Sequence, residues 1–268
     1  MVMDKATRQE QLLRDLATVA VRPVPEFEAA SQEDQDAITV LLTTSPMPSH
    51  PSPWVVANVH NSLRRHLPNS RIIVLADGVD GPEPETYTQF KEAALAEGWE
   101  LYAFVGHHHQ NLMVRAALRE VTTPLVIVGD GDWGFHQKYM DWRGIVATLL
   151  DDSRRIQHIQ IRQDNLGIWE LDMDCFGELQ TSHGIYVLPT RNFQAPTHIA
   201  RTDWYRKISS YFTVPQLLER PNMWDALKIT GGINEMAAYI PLGPIGRLYH
   251  LNGQHVVSPN ELHGIGDL

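Results

Sequence analysis

The feature that most constrains this chain is an alternation of short apolar runs with helical patterns in its first half. Apolar runs of strand length occupy residues 38–42, 71–76, 100–105 and 124–128. Apolar side chains at helical spacing occupy the intervening residues 53–66, 85–97 and 110–120. Strands that alternate with helices of this length predict a parallel sheet covered by helices on both faces. We therefore expect an α/β fold with a mostly parallel central sheet flanked by helices.

The rest of the chain follows this pattern less clearly. Residues 138–150 predict a helix, and residues 156–161 and 185–188 predict strands. We expect loops and short helices in the remainder, up to the C-terminus. Residues 1–36 contain one short helical pattern and then a polar stretch, so we interpret them as an N-terminal accessory segment.

Charge and composition narrow the classes of protein that fit. The formal net charge of -10 disfavours a broad face for duplex nucleic acid. The apolar runs are too short to cross a bilayer, and the charged N-terminal stretch lacks the apolar core of a secretory signal. One cysteine excludes an internal disulfide and suits a reducing compartment. We expect a cytoplasmic protein without a membrane span.

Polar side chains follow each of the four predicted strands. They are Thr43, Thr44 and Ser45 after the first, Asp77 after the second, the histidine run 107–109 with Gln110 after the third, and Asp130 and Asp132 after the fourth. Ligands in doubly wound sheets bind beyond the carboxyl ends of the strands. These side chains therefore predict one ligand site at that edge of the sheet.

The turn Asp130-Gly131-Asp132 carries the clearest chemistry. Two carboxylates one residue apart on a turn can both face one ion, and oxygen ligands favour Mg2+ or Mn2+. Such an ion bridges diphosphate oxygens and neutralises charge on a departing nucleoside diphosphate. Gly131 would let the backbone approach the ligand closely. We therefore predict a metal site here.

Two other interpretations of this turn are possible. Residues 129–134 match the dinucleotide fingerprint G-x-G-x-x-G, which holds a pyrophosphate on bare backbone N–H groups. Two carboxylates would oppose that ligand by about 4 kcal/mol per close charge pair, and the fingerprint normally opens the first strand–helix unit rather than the fourth. A solvated Asp-Gly turn is the remaining alternative.

The ordered series of strand-end motifs resembles the GT-A glycosyltransferases, and within them the family 2-like enzymes. The likeness covers about residues 37–200 and is carried by Thr43-Thr44-Ser45, Ala76-Asp77-Gly78, residues 110–117 and residues 123–132. The resemblance implies a GT-A (Rossmann-like) domain over residues 37–268. Its nucleotide-sugar-binding half would be residues 37–135, and its acceptor-binding half residues 136–268.

The resemblance also implies roles for single residues. It places Thr43, Thr44, Ser45 and Asp77 against the nucleoside, with uridine as the usual base, and Arg115 facing the nucleotide. Asp130 and Asp132 would hold Mn2+ or Mg2+ and the diphosphate. Many GT-A enzymes complete the metal shell with a histidine near the C-terminus, and His250 is the candidate in this chain.

The remaining polar residues are less defined. Inverting transfer needs a carboxylate base for the acceptor hydroxyl, and Glu219 and Asp225 are candidates, although either can equally lie on a solvated face. Retaining transfer needs no such base. In the run His107-His108-His109, neighbours point to opposite faces, so we interpret one or two as ligand-facing polar residues rather than a dedicated zinc site.

The sequence thus predicts a metal-dependent glycosyltransferase that moves a sugar from a nucleotide diphosphate-sugar to an acceptor hydroxyl. A glycan, a protein side chain and a hydroxymethylated DNA base are all open as acceptors. Two alternatives stay open. One is a nucleotidyltransferase, although residues 43–51 lack the glycine and basic residue such enzymes usually carry after the first strand. The other is a non-catalytic module that binds a sugar or a nucleotide.

Overall fold

The computed structural model describes residues 5–46, 54–153, 155–161, 178–193, 197–218, 220–243 and 246–251. Its α-helices are α1 Lys5–Ala20, α2 Gln32–Asp36, α3 Trp54–His66, α4 Glu85–Ala96, α5 His109–Ala117, α6 Trp142–Leu150, α7 Thr202–Ser209 and α8 Pro221–Thr230. A short 3-10 helix spans Gly232–Asn234.

The strands fall into a large sheet and a small one. They are β1 Ile38–Thr44, β2 Arg71–Ala76, β3 Glu100–Ala103, β4 Leu125–Asp130, β5 Trp133–Phe135, β6 His158–Gln160, β7 Gln180–Ser182, β8 Ile185–Pro189, β9 His198–Arg201, β10 Met236–Ile240 and β11 Leu248–His250. The nine-stranded sheet has the order β3-β2-β1-β4-β9-β6-β10-β8-β7, and β11 pairs with β5 apart from it.

Most of the large sheet runs in one direction. β3, β2, β1 and β4 pair in parallel, as do β6 and β10. β9 lies antiparallel between β4 and β6, and β8 lies antiparallel to both β10 and β7. The expected mostly parallel α/β sheet is therefore confirmed.

Alternating side chains of the parallel strands build two cores. On β1, Val40 and Leu42 belong to one apolar cluster, whereas Leu41 belongs to the other. Helices α3, α4 and α6 cover the first face, and α5, α7 and α8 cover the second. Because both faces are buried, these strands consist of continuous apolar runs, which is typical of parallel sheets.

The second half is more regular than the sequence suggested. The predicted helix at 138–150 begins only at Trp142, where the Asp141 side chain accepts a hydrogen bond from the Gly144 amide as an N-cap. The prediction of loops and short helices beyond residue 188 is wrong at β9, β10 and β11. These strands are three to five residues long, and none of them shows a sustained alternation of apolar and polar residues that would identify it as a strand.

The N-terminal segment packs against the second half of the sheet. Leu16 and Val19 of α1 form an apolar cluster with Leu188 of β8 and Ile240 of β10. The division into an accessory segment (1–36) and two functional halves stays a prediction. Among the described residues, no helix has the length and apolar character needed to cross a membrane.

Candidate active site

Asp130 ends β4 on the same face of the sheet as Thr43 of β1, because the two residues are register partners. The Thr43 hydroxyl lies 2.9 Å from Asp130 Oδ1 and 3.2 Å from the Gly129 carbonyl oxygen. The side-chain amide of Gln110, in the first turn of α5, also donates to Asp130 Oδ1. Neutral donors from two elements therefore fix the orientation of this carboxylate.

The first turn of α5 also holds the loop after α7. Gln110 Oε1 accepts a hydrogen bond from the Leu218 amide at 3.3 Å. The buried Asn111 side chain accepts from the Gln216 amide and donates to the Val214 carbonyl, at 2.9 and 2.8 Å. One helix turn thus connects Asp130 with a loop of the second half.

A buried polar pair lies close to Asp130. The Tyr205 hydroxyl of α7 is hydrogen-bonded to His198 Nε2 of β9 at 3.0 Å. Burial raises the pKa of Tyr205, and the negative charge of Asp130 raises that pKa further. Tyr205 therefore stays a neutral hydroxyl beside the carboxylate.

The glycine of the acidic turn is required by packing within the protein. A Cβ on Gly131 would lie 2.9 Å from Val56 Cγ2 of α3 and 3.0 Å from the Thr43 carbonyl oxygen. The sequence attributed this glycine to close approach by a ligand. The described contacts show that it lets the turn lie against β1 and α3.

Asp132 meets the C-terminal strand. His250 Nε2 lies 2.9 Å from Asp132 Oδ2, and the Leu251 amide donates to the Asp132 carbonyl oxygen at 2.7 Å. His250 is the register partner of Trp133 and stacks on its indole, with ring centroids 4.6 Å apart. Strand β11 therefore brings a histidine distant in sequence to the acidic turn.

The buried Arg247 anchors this strand. Its guanidinium donates to the carbonyl oxygens of Tyr139 and Leu242, both at 2.6 Å. Burial lowers the pKa of Arg247. A buried cation that binds several carbonyl groups is costly to disturb, so it fixes the position of β11 and of His250.

The predicted metal ligands divide into two groups. Asp132 and His250 face one another, whereas Asp130 Oδ1 is held by Thr43 and Gln110. Within the described ranges, no group of three or more acidic, histidine or cysteine side chains is arranged to hold a metal ion. For Asp130 to bind the same ion as Asp132 and His250, its Oδ2 would have to contact that ion.

Asp77 is enclosed by the histidine run. Its carboxylate is buried and accepts hydrogen bonds from the Gly78, His108 and His109 amides, at 2.8 to 3.1 Å, and from His107 Nδ1 at 2.8 Å. These contacts cap the start of α5. The sequence predicted a nucleoside contact for Asp77. In the described conformation such a contact requires the histidine run to move.

The other residues predicted to contact the nucleotide, Thr44, Ser45 and Arg115, differ in burial and in their partners. Thr44 is buried, and its carbonyl oxygen accepts from the Tyr87 hydroxyl at 3.3 Å. Ser45 is half-buried, and residues 47–53 lie outside the described residues. Arg115 does not join the strand-end group, because its guanidinium donates to the carbonyl oxygen of Phe212, just after α7.

The two candidate bases stay predictions. Asp225 lies on the exposed side of α8, opposite the apolar side chains of Met223, Ala226 and Leu227 that pack into the core. Glu219 lies outside the described residues.

Sequence reasoning missed the roles of Gln110 and Arg247. The sequence placed Gln110 among the strand-end residues without a role of its own, and the structure shows that it holds Asp130 from the first turn of α5. No sequence pattern indicates the role of Arg247. Its guanidinium binds carbonyl groups that come together only in the folded chain.

The sequence matches no family model and no curated protein. Solved structures do resemble the chain. S. aureus TarS, residues 1–349, matches with a TM-score of 0.51 and 13% identity over 80% of this chain, and the matched region spans 60% of that structure.

Two further similar structures have lower TM-scores. The glucosyl-3-phosphoglycerate synthase from Mycobacterium tuberculosis, in complex with Mg2+ and UDP, has a TM-score of 0.44 and 13% identity over 85% of this chain and 78% of its own. A CMP:2-keto-3-deoxy-manno-octonic acid synthetase complexed with CTP has a TM-score of 0.47 and 12% identity. The match covers 85% of this chain and 96% of that structure.

These likenesses concern the fold. The chain has the GT-A fold that the sequence predicted, with a mixed α/β architecture. A fold shared at such low identity does not decide between activities, which must be argued from the site.

Proposed function

We propose that this protein is a metal-dependent glycosyltransferase that takes a sugar from a nucleotide diphosphate-sugar. The observation that carries the proposal is the contact between Asp132 and His250. A carboxylate on the turn after a central parallel strand meets an imidazole from a strand more than a hundred residues later in the chain. Both lie at the edge of the sheet where ligands of α/β proteins bind.

The Asp132–His250 pair has the donor chemistry and spacing of two neighbouring ligands. Metal–ligand bonds of about 2.1 Å that meet at a right angle put two donor atoms about 3 Å apart. The observed separation is 2.9 Å. Mn2+ and Mg2+ accept carboxylate ligands, and imidazole suits several divalent ions. The pair would hold the ion, which when bound neutralises charge on the diphosphate.

The second group of residues would position the donor. Thr43 and Gln110 hold Asp130 Oδ1 at the carboxyl end of β4. In the proposal Asp130 binds a donor hydroxyl or joins the metal shell, and Ser45 borders the nucleoside. Asp77 acts on the nucleoside side by holding the histidine run, because its own oxygens are occupied.

The acceptor side is formed by the second half. The loop after α7 is tied to Gln110 and Asn111, so it borders the proposed donor site. The net charge of -10 favours a glycan or protein hydroxyl over a modified DNA base as the acceptor. Residues 43–51 contain no lysine or arginine that could hold a triphosphate, which favours sugar transfer over nucleotidyl transfer.

The test uses a second Asp–His pair as its control. His183 Nε2 lies 2.9 Å from Asp151 Oδ2, the same separation as in the proposed site. His183 and His250 are 40% and 41% exposed, so the two imidazoles are also similar in accessibility. Variants Asp132→Asn and His250→Ala are compared with Asp151→Asn and His183→Ala.

Nucleoside diphosphate release is measured from UDP- and GDP-sugars with Mn2+, with and without sugar acceptors. We expect loss of about 100-fold or more in the first two variants, because metal stabilisation contributes several kcal/mol. The control variants should keep wild-type rates. Activity that survives chelation, or equal losses in both pairs, would overturn the proposal. Pyrophosphate release from nucleoside triphosphates would indicate a nucleotidyltransferase instead.

A further inference from the structure

The histidine run contains a second pair of converging donor atoms. His107 Nε2 and His109 Nε2 lie 2.8 Å apart, and their ring centroids are separated by 3.9 Å. His107 is one third exposed, so solutes can reach the pair. We propose that these two nitrogens form a binding site for a late first-row transition-metal ion such as Ni2+, Cu2+ or Zn2+.

The spacing fits two neighbouring ligands of one ion. Metal–imidazole bonds of about 2.0–2.1 Å put two nitrogens about 2.9 Å apart when the bonds meet at a right angle. Square-planar and tetragonal Cu2+ and Ni2+ have that angle, and imidazole is a preferred ligand for both. Tetrahedral Zn2+ requires about 3.3 Å, so Zn2+ needs a small opening of the pair.

The buried Asp77 supports one of the two ligands. Its Oδ2 accepts a hydrogen bond from His107 Nδ1 at 2.8 Å. This bond fixes the tautomer of His107 and leaves the Nε2 lone pair available toward His109. Metal-binding histidines commonly donate their other ring N–H to a carboxylate, which orients the ring and increases its basicity.

The backbone places the two histidines on one side. His109 has a φ of 55°, a left-handed conformation that is uncommon outside glycine. His108, between them, is directed elsewhere, since its Nδ1 lies 2.9 Å from the Gly106 carbonyl oxygen and its ring contacts Phe104. The three adjacent histidines therefore do not all face one point, as expected from the sequence. His107 and His109 converge, and His108 does not.

Two protein ligands leave the other coordination positions to water. We therefore expect an affinity in the micromolar range, weaker than that of a closed structural site. The site differs from the proposed Asp132–His250 site in ligand type, because both of its donors are imidazole nitrogens, whereas one donor of that pair is a carboxylate, which Mg2+ accepts. The proposal does not depend on the glycosyltransferase assignment.

The test is isothermal titration of the full chain, without a polyhistidine tag, with Ni2+ in excess Mg2+. The variants are His107→Asn, His109→Asn and, as the matched control, His108→Asn. An asparagine at 107 can still donate to Asp77 through its side-chain amide, and asparagine tolerates the left-handed backbone at 109. Thermal melting confirms that each variant is folded.

We expect one Ni2+ per chain in the wild type and in His108→Asn. Binding should weaken by about 100-fold in the two ligand variants, because loss of even an outer partner costs about 10–100-fold. Absence of Ni2+ binding by folded wild type would show that the two rings form only a histidine–histidine hydrogen bond. An equal loss in His108→Asn, or a loss in His250→Ala instead, would also overturn the proposal.

Discussion

The first and second halves of the sheet are built differently. β1, β2 and β4 are six or seven residues long, pair in parallel and are buried almost throughout. β6, β9 and β10 are three to five residues long and pair in both directions. The first half is therefore specified by its local apolar pattern, whereas the short strands of the second half depend more on pairing with their neighbours in the sheet.

The candidate site lies where these two halves meet. Asp130 and Thr43 come from the regular half, and His250 comes from a strand of the irregular one. The first turn of α5 binds the loop after α7 through Asn111 and Gln110. Variants at this junction test whether the halves depend on one another.

The largest effect on stability is expected for Asn111→Ala. The change leaves the Gln216 amide without its side-chain acceptor, which costs about 1–3 kcal/mol, and it removes one of two donors to the Val214 carbonyl oxygen, which keeps Asn222 at 3.3 Å and loses about 0.5–1.5 kcal/mol. We expect the free energy of unfolding, from urea titration, to fall by about 2–4 kcal/mol. The exposed Gln89→Ala is the control, with a change below about 0.5 kcal/mol. A small effect at Asn111 would show that the loop is held by other contacts.

The contrast between the halves explains how much the sequence could predict. The four strands of the regular half and the helices between them follow from apolar runs and helical spacing. The acidic turn and the choice of His250 followed from a motif and a resemblance, and the structure brings Asp132 and His250 together. Enclosure of Asp77 by the histidine run and the contact of Arg115 with Phe212 could not be predicted, because both depend on loops whose paths no local pattern specifies.

Acid should destabilise both halves through their buried histidines. Burial lowers the pKa of His66 to about 4 and lowers that of His158 well below its usual value. The neutral His66 ring is held by the His136 carbonyl oxygen and the Trp142 indole, at 2.7 and 3.4 Å. The pKa of His66 in the folded protein lies below its value of about 6.5 in the unfolded chain. The neutral ring therefore contributes its full stabilisation to the folded state above about pH 6.5.

That contribution is lost as the pH falls from about 6.5 toward about 4, by up to about 1.4 kcal/mol per pH unit for each such group. Urea titrations across this range should show the loss, and His66→Gln should have a shallower slope than the wild type. Equal slopes for the two proteins would contradict a neutral His66.

A smaller effect is expected for Gly131→Ala. The added Cβ would press on Val56 of α3 and on the Thr43 carbonyl oxygen, and overpacking typically costs about 1–3 kcal/mol. Gly81→Ala is the control, because a Cβ there has no atom of the described structure within 4 Å. Thermal unfolding compares the two variants. If both melt at the wild-type temperature, the turn is not packed against β1 and α3.

The most direct test of the central claim, that the two halves build one metal-dependent nucleotide site, is calorimetric titration of the protein with UDP or GDP in the presence and absence of Mn2+. We predict binding that requires Mn2+ in the wild type and is weakened by about tenfold or more in His250→Ala. The control His183→Ala should bind as the wild type does. Binding that is equally tight without metal, or unaffected by His250→Ala, would contradict the account.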